Sequence, residues 1–349
     1  MEEVNRRKRH LASLSQEFRD KLPVDTIEKQ LGRLEKAASA NQSFLRGVVQ
    51  QQCPPHIYDR DYNSVTCAER HLTKVKVAIE QCVRDWAVEG KKERDEIYSP
   101  IIRELQQYVP LGEQGELKHK RKVLLPGVGL ARLLLEVCLA GYAGQGNEFD
   151  YFMLFVSDCF LNGGLKANSI KLYPWIHDPN NVLNREDALK PIMVPDVSCL
   201  ACAKANPGMD MSMTMGEFIQ VYDTQENYGL WDSVVTCFFV DTAPNVLEYC
   251  KVIHKILKPG GVWINVGPLV YHWYHFGASP EQWRSDDRYL QSLELSYEEL
   301  KYAIEMYGFT FLTEERVTTH YNRRPASMNM KETTYNAMFF TVQKGLASD

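Results

Sequence analysis

The sequence has no apolar run that approaches the roughly 20 residues of a membrane-spanning helix. Its first residues carry charges but no apolar core of the kind that a signal peptide needs, so we expect no export. It also lacks an excess of basic residues. The formal net charge of −5 argues against a general nucleic-acid binder, and we predict neither a nucleic-acid nor a membrane partner.

The cysteines lack a metal-binding pattern. The 9 cysteines are an odd number and fall mostly in apolar segments, as the reduced thiols of an intracellular protein do. Cys199 and Cys202 form a C-x-x-C pair that no second pair accompanies, so we predict no metal site. We expect a cytoplasmic protein. The basic cluster Arg6–Arg9 is interpreted as a solvated helix face, with nuclear import as the alternative.

The chain changes its periodicity near residue 120. A length of 349 residues predicts about two domains. Residues 1–120 have apolar side chains at helical spacing and no strand alternation, which predicts an N-terminal helical domain. Residues 121–349 alternate between strand and helix patterns, which predicts an α/β domain. Within it, an insertion at about 162–207 is long and aromatic enough to predict a packed lid.

The segment that ends at Glu148 carries the clearest chemical pattern. An apolar run, Val123–Leu125, leads into a Pro-Gly-Val-Gly turn, a helical pattern and a second short strand. This order of strand, glycine turn, helix, strand and acid is typical of a site for an adenosine-containing cofactor. Gly127 and Gly129 allow close approach to the backbone, and Glu148 can accept hydrogen bonds from ribose hydroxyls.

The details of this turn favour S-adenosylmethionine (SAM) over a dinucleotide. In the dinucleotide pattern G-x-G-x-x-G, the third glycine would fall at Arg132, whose side chain would spoil the close packing of strand and helix. A glycine turn with a ribose acid but no pyrophosphate cradle is what SAM methyltransferases use. Another nucleotide, and an ordinary α/β turn without a ligand, are the alternatives for this stretch.

Two further strands are followed by acidic residues. Met211–Met215 is predicted to be the third strand, and Glu217 and Phe218 follow where a methyltransferase binds adenine. Ser233–Val240 is a continuous apolar run, as expected in the middle of a parallel sheet, and Asp241 comes directly after it. Ligands of open α/β sheets bind at these carboxyl ends.

The rest of the chain has the order of a class I methyltransferase. A predicted helix is followed by a turn at Lys258–Gly261, a fifth strand at Val262–Val266, and two strands that we expect to close the sheet antiparallel. The sequence therefore predicts an α/β fold with a Rossmann-like seven-stranded sheet of the class I SAM-methyltransferase type, preceded by an N-terminal helical domain.

In its specific motifs the chain resembles the carnosine N-methyltransferases, which use SAM to methylate the imidazole of β-alanyl-histidine and form anserine. The resemblance covers about residues 65–343. It is carried by six segments: Gln81–Trp86, Leu125–Leu130, Gln145–Glu148, Leu172–His177, Cys237–Ala243 and Gly267–His272. It implies a SAM-dependent N-methyltransferase with a small dipeptide substrate.

The resemblance also implies roles for individual residues. The implied cofactor residues are Gln81 and Arg84 at the methionine end, Gly127 and Gly129 in the turn, Glu148 at the ribose, Glu217 and Phe218 at the adenine, and Cys237 along the pocket. The implied substrate residues are Asp241 and His272 at the imidazole, and Tyr321 and Tyr335 over the dipeptide. Asp241 is the primary catalytic candidate and His272 the secondary one.

The chemistry explains why a carboxylate is needed. Imidazole has a pKa of about 6.5, so the neutral nucleophile dominates at pH 7, and the enzyme has to select one of its two nitrogens. A carboxylate that accepts the N–H of the other nitrogen fixes the tautomer. Asp241 is placed for this role, and the same bond would stabilise positive charge that grows on the ring. His272 could orient the substrate or accept the released proton.

Other interpretations stay open. Taken alone, Asp241 could be a helix cap and His272 a structural histidine. The alternative functions are a protein-histidine methyltransferase, a SAM-binding scaffold that regulates a partner, and, least favoured, an NAD dehydrogenase.

Thr333 and Thr334 stand where the family has further tyrosines, and the segment His275–Gln291 is longer than in the family pattern. Both departures concern specificity. A homodimer through the N-terminal helices is a further hypothesis.

Overall fold

The computed structural model describes residues 2–54, 69–112, 120–178, 180–274, 284, 286–321, 324 and 330–346. In these residues the α-helices are α1 (Glu2–Ser13), α2 (Gln16–Arg19), α3 (Val24–Gln52), α4 (Glu69–Trp86), α5 (Lys91–Tyr108), α6 (Arg132–Leu139), α7 (Tyr151–Asn162), α8 (Arg185–Ala188), α9 (Cys199–Ala205), α10 (Phe218–Tyr222), α11 (Val246–Ile256) and α12 (Tyr297–Met306). The strands are β1 (Lys122–Pro126), β2 (Ala143–Glu148), β3 (Ile170–Leu172), β4 (Ile192–Val194), β5 (Asp210–Met215), β6 (Trp231–Cys237), β7 (Leu257–Gly267), β8 (Phe309–His320) and β9 (Thr334–Lys344). In the described part of the chain, no helix is long and apolar enough to span a membrane.

The chain divides into two compact units, each built from segments that are distant in sequence. The first unit combines Met1–Lys91, Asp158–Leu200 and Asn322–Glu332. The second combines Lys92–Ser157, Ala201–Tyr321 and Thr333–Asp349, so it contains all of α5 except Lys91 together with the large sheet. The predicted domain division at residue 120 stays a prediction.

The first unit is helical and includes a small antiparallel sheet of β3 and β4. Asn41 of α3 is buried, and its amide makes two hydrogen bonds with the backbone of Tyr173. Its Nδ2 donates to the carbonyl oxygen at 2.9 Å, and its Oδ1 accepts from the N–H at 2.8 Å. The Trp86 ring of α4 stacks on Phe160 with centroids 5.0 Å apart. The predicted insertion therefore contributes folded structure to this unit, while its role as a lid stays a prediction.

The second unit is organised around a seven-stranded sheet in the order β5-β2-β1-β6-β7-β9-β8. The first five strands of this order pair in parallel, and β9 is antiparallel to both β7 and β8. This confirms the predicted Rossmann-like sheet, including its antiparallel closure. The strand order reverses between β1 and β6, and a crevice opens at the carboxyl ends of strands at such a switch point.

The central strands are apolar because helices cover both faces of a parallel sheet. Val123–Leu125 of β1 is fully buried. Three polar side chains at this depth pair with one another, since an unpaired buried polar group is costly. Nε1 of Trp263 donates to Oγ1 of Thr236 at 2.7 Å, and that hydroxyl donates to Oδ1 of Asn265 at 2.8 Å.

Glycines on β2 allow helix α6 to lie close to the sheet. A Cβ on Gly144 would come within 2.8 Å of Cδ1 of Leu134, and one on Gly146 within 3.0 Å of its Cδ2. In the dinucleotide pattern, the third glycine allows strand and helix to pack closely. Here the glycines of strand β2 allow the same close packing. Arg132, at that third position, is buried and its Nε pairs with Oε1 of Glu136 at 2.8 Å.

Two predicted boundaries are wrong in detail. The strand predicted at Ser233–Val240 ends at Cys237, because Phe238 has a φ of +53° and turns the chain. The turn predicted at Lys258–Gly261 lies inside β7. The ladder with β6 shifts there, from Leu257 opposite Trp231 to Val262 opposite Ser233, which makes this stretch a bulge that needs Gly260 at a φ of +75°.

Candidate active site

The glycine turn after β1 has the predicted left-handed geometry. Gly127 has a φ of +63° and Gly129 a φ of +58°, values that non-glycine residues rarely adopt. A Cβ on Gly127 would overlap the ring of Phe239. The turn therefore brings bare backbone to the carboxyl end of β1, directly beside a buried aromatic ring.

The Glu148 carboxylate is held entirely by backbone groups of two loops. Its Oε2 accepts the N–H of Gly129 at 2.9 Å, and its Oε1 accepts those of Phe149 at 2.8 Å and Asp150 at 2.9 Å. Burial raises the pKa of Glu148, and these three donors oppose that rise. A carboxylate has about four acceptor sites, so it retains capacity for a ribose hydroxyl.

Glu217 and Phe218 lie at the end of β5, as predicted for the adenine end. Oε2 of Glu217 caps helix α10 by accepting the N–H of Gln220 at 2.9 Å. The Phe218 ring is only 2% exposed and packs edge-on against Phe239 and Tyr249. Its N–H, in the first turn of α10, has no partner within the helix and is therefore the group it can offer a ligand.

A cavity of about 850 Å³ joins these groups. Its lining residues include the predicted site residues Gly127, Glu148, Glu217, Phe218 and His272. The size lies in the range of small-molecule sites. The structure thus brings five of the predicted positions to one cavity of the second unit.

Asp241 is not among the residues that line this cavity; it lies in a 3-10 turn that covers Val240–Thr242, and Thr242 of that turn does line the cavity. It is 3% exposed, and its Oδ2 accepts the N–H of Val270 at 2.9 Å. Burial raises the pKa of Asp241, while the Val270 N–H and the charge of His272 lower it. The carboxylate is therefore fixed in orientation by a donor from the neighbouring loop.

His272 is tied to Asp241 through the backbone. The N–H of His272 donates to the carbonyl oxygen of Asp241 at 3.0 Å. The His272 residue is exposed and lines the cavity. Trp273, the next residue, donates its Nε1–H to the carbonyl oxygen of Thr242 at 2.9 Å. These bonds hold the loop after β7 against the 3-10 turn, so the two catalytic candidates are adjacent.

Tyr321 and Tyr335, predicted to close over the substrate, meet at Phe238. The Phe238 centroid lies 5.0 Å from that of Tyr321 and 6.0 Å from that of Tyr335, and the two tyrosine rings are 6.0 Å apart. Phe238 also lines the cavity. Backbone strain in a bulky residue is often found at functional sites, which adds Phe238 to the candidate site.

Sequence reasoning missed several cavity residues. Phe238 stands between the predicted residues Cys237 and Asp241, and that adjacency was the available signal. Arg288 packs over Trp273, with its Cζ 4.0 Å from the ring centroid, and both line the cavity. No sequence pattern pointed to this pair.

Cys237 is the last residue of β6, and its predicted contact with the cofactor stays a prediction.

Gln81 and Arg84 lie on α4 in the first unit. Gln81 is 8% exposed, and its Oε1 has no hydrogen-bond partner. The Arg84 guanidinium makes two bonds with Asp85, from Nε at 2.8 Å and from an Nη at 3.2 Å. A buried amide oxygen without a partner is costly, which fits a ligand-binding role. Their predicted contacts with the methionine end stay predictions.

The donor set of the second unit fits SAM. Glu148 beside the glycine turn suits ribose hydroxyls, and Glu217 with the Phe218 N–H suits the donor and acceptor edge of adenine. Acidic groups also suit a ligand whose sulfonium is positively charged. With the strand order of the sheet, these features define a class I SAM-dependent methyltransferase.

Comparison with known proteins gives the family. The family model for carnosine N-methyltransferase matches residues 62–345. The chain is 37% identical to the mouse carnosine N-methyltransferase over 98% of this chain and 82% of that protein. It is 33% identical to the Schizosaccharomyces pombe carnosine N-methyltransferase over 93% and 87%. The chain belongs to the carnosine N-methyltransferase family.

A solved structure is similar at greater distance. A SAM-dependent methyltransferase from Methanosarcina mazei is 13% identical, with a TM-score of 0.37, over 68% of this chain and 99% of that chain.

We predict that Glu148→Gln weakens binding of S-adenosylhomocysteine at least tenfold, about 1.4 kcal/mol. The amide NH₂ of glutamine would replace one carboxylate oxygen and face a backbone N–H instead of accepting from it. Isothermal calorimetry measures the change. Glu315→Gln, an exposed position on β8, is the control and should bind normally. Equal affinity of both variants would refute the ribose role.

Proposed function

We propose that this chain transfers a methyl group from SAM to an imidazole nitrogen of carnosine, forming anserine, and that Asp241 selects the nitrogen. The family supports the reaction. The observation that supports the residue assignment is the buried Asp241 carboxylate, which the Val270 N–H fixes at the carboxyl end of β6 beside His272.

Bound SAM supplies an electrophilic methyl group, which a ring nitrogen takes in an in-line displacement. Glu148, Glu217 and the glycine turn would hold its adenosine part. The protein's remaining task is to present one nitrogen with its lone pair available. Positioning and exclusion of water are then the main sources of rate.

Asp241 performs this selection by accepting the N–H of the nitrogen that is not methylated. Its Oδ2 already accepts from Val270, so the second oxygen is the acceptor assigned to the substrate. The carboxylate also stabilises the positive charge that the ring gains as the new N–C bond forms. Because the carboxylate is fixed before substrate binds, little reorganisation is needed during the reaction.

His272 and the aromatic residues complete the substrate site. His272, exposed beside the cavity, orients the dipeptide or accepts the ring proton after transfer. Phe238, Tyr321 and Tyr335 present ring faces and edges to the imidazole, which suits a ring that becomes cationic.

The reaction is tested with tritiated SAM. We expect purified protein to transfer label to carnosine, recovered as anserine by chromatography. Label that appears only in protein after incubation with cell extract would instead indicate a protein-histidine methyltransferase. Binding of SAM without transfer to either acceptor would indicate a regulatory scaffold. Each of these two results would contradict the proposal.

We predict that Asp241→Asn lowers kcat for carnosine by about 10²- to 10³-fold. Asparagine can still accept the Val270 N–H, but its neutral amide stabilises the ring charge poorly. Because burial raises the pKa of Asp241, the ionised form costs the folded state free energy once the pH exceeds that pKa. The variant should therefore have an unchanged or higher Tm at neutral pH.

The matched control is Asp223→Asn, which removes a carboxylate that pairs with Lys255 on the second unit. It should keep the wild-type kcat. Steady-state kinetics and thermal unfolding are measured for both variants. An Asp241→Asn enzyme with wild-type kcat would exclude Asp241 from catalysis.

A further inference from the structure

The hairpin of β8 and β9 carries both candidate tyrosines at its loop end, where β8 ends and β9 begins. Tyr321 directly follows β8, and Tyr335 of β9 pairs with Thr319. In the described sheet, β8 is the edge strand and pairs only with β9. Strand ends and edges open more easily than central strands do. The position of the tyrosines therefore depends on what holds this end.

Helix α5 is tied to the hairpin at two levels. Near the middle, Oε2 of Glu104 accepts a hydrogen bond from Oγ1 of Thr313 at 2.9 Å and another from the hydroxyl of Thr341. At the loop end, Oε2 of Glu96 lies 3.1 Å from Nδ1 of His320. Glu96 and Glu104 are about two helical turns apart, so one face of α5 spans both levels.

The tie at the loop end is local in its effect. The side chains of Glu96 and His320 are 28% and 20% exposed, and Nζ of Lys92 lies 4.0 Å from Oε1 of Glu96. Pairs of this exposure contribute little to global stability. His320 is, however, the last residue of β8, directly before Tyr321. Holding its ring restricts the backbone from which Tyr321 projects.

We propose that Glu96 and His320 are positioning residues for the substrate: their contact holds the end of β8 so that Tyr321 and Tyr335 stay packed against Phe238. This inference rests on the proposed function, since it assigns the tyrosines to the dipeptide. Nδ1–H of His320 donates to the Glu96 carboxylate, which fixes the ring orientation. Neither residue touches the reacting atoms.

The test compares Glu96→Ala with Glu104→Ala, which cuts the other tie of the same helix. We expect Glu96→Ala to raise KM for carnosine about three- to tenfold, with kcat and KM for SAM within about twofold of wild type. Glu104→Ala should lower Tm, because it leaves the buried Thr341 hydroxyl without this acceptor, and leave KM for carnosine unchanged. Glu96→Gln keeps an oxygen acceptor and should restore a near-normal KM.

Hydrogen exchange of the free protein gives a second readout that needs no substrate. Peptides that cover 316–321 and 333–338 should exchange faster in Glu96→Ala but not in Glu104→Ala. A wild-type KM for carnosine in Glu96→Ala, or an equal rise in both alanine variants, would overturn the inference. If the wild-type protein does not methylate carnosine, the proposed function fails. Unchanged exchange in Glu96→Ala would separately refute the tie itself.

Discussion

A carboxylate that is buried at the carboxyl ends of parallel strands needs hydrogen-bond donors that hold it. The second unit supplies these donors from its backbone. Glu148 accepts three backbone N–H groups, and Asp241 accepts the N–H of Val270. In both cases burial raises the pKa and the donors counter it. Burying these carboxylates costs free energy, but each of them is then already oriented before any ligand binds.

The rest of the site follows from where these two acids stand. The switch of strand order between β1 and β6 places the ends of both strands side by side, so the glycine turn and the Asp241 turn face the same crevice. The glycines of β2 let α6 approach the sheet. The strained turn at Phe238 ends β6 early enough for its ring to reach Tyr321 and Tyr335. The candidate cofactor site and the proposed substrate site thus lie together at the carboxyl ends of these strands.

Local sequence patterns predicted most of the residues at the carboxyl ends of these strands. Glycines with a following acid, and apolar runs with an acid after them, specify strand ends directly, and the turn with Glu148 was found in this way. Contacts between segments that are distant in sequence leave no such local pattern. Phe238 at positive φ, the bulge at Lys258–Gly261 and the tie between Glu96 and His320 depend on tertiary packing that overrides local preference. The same applies to the packing of the insertion with the N-terminal helices.

The central claim is that Asp241 sets the tautomer of the bound imidazole. It is tested most directly by ¹⁵N NMR of ring-labelled carnosine bound to the protein with S-adenosylhomocysteine. The account predicts one dominant tautomer, protonated on the nitrogen that is not methylated, and its loss in Asp241→Asn. A bound imidazole with the same tautomer ratio as in water, or an unchanged spectrum in Asp241→Asn, would contradict it.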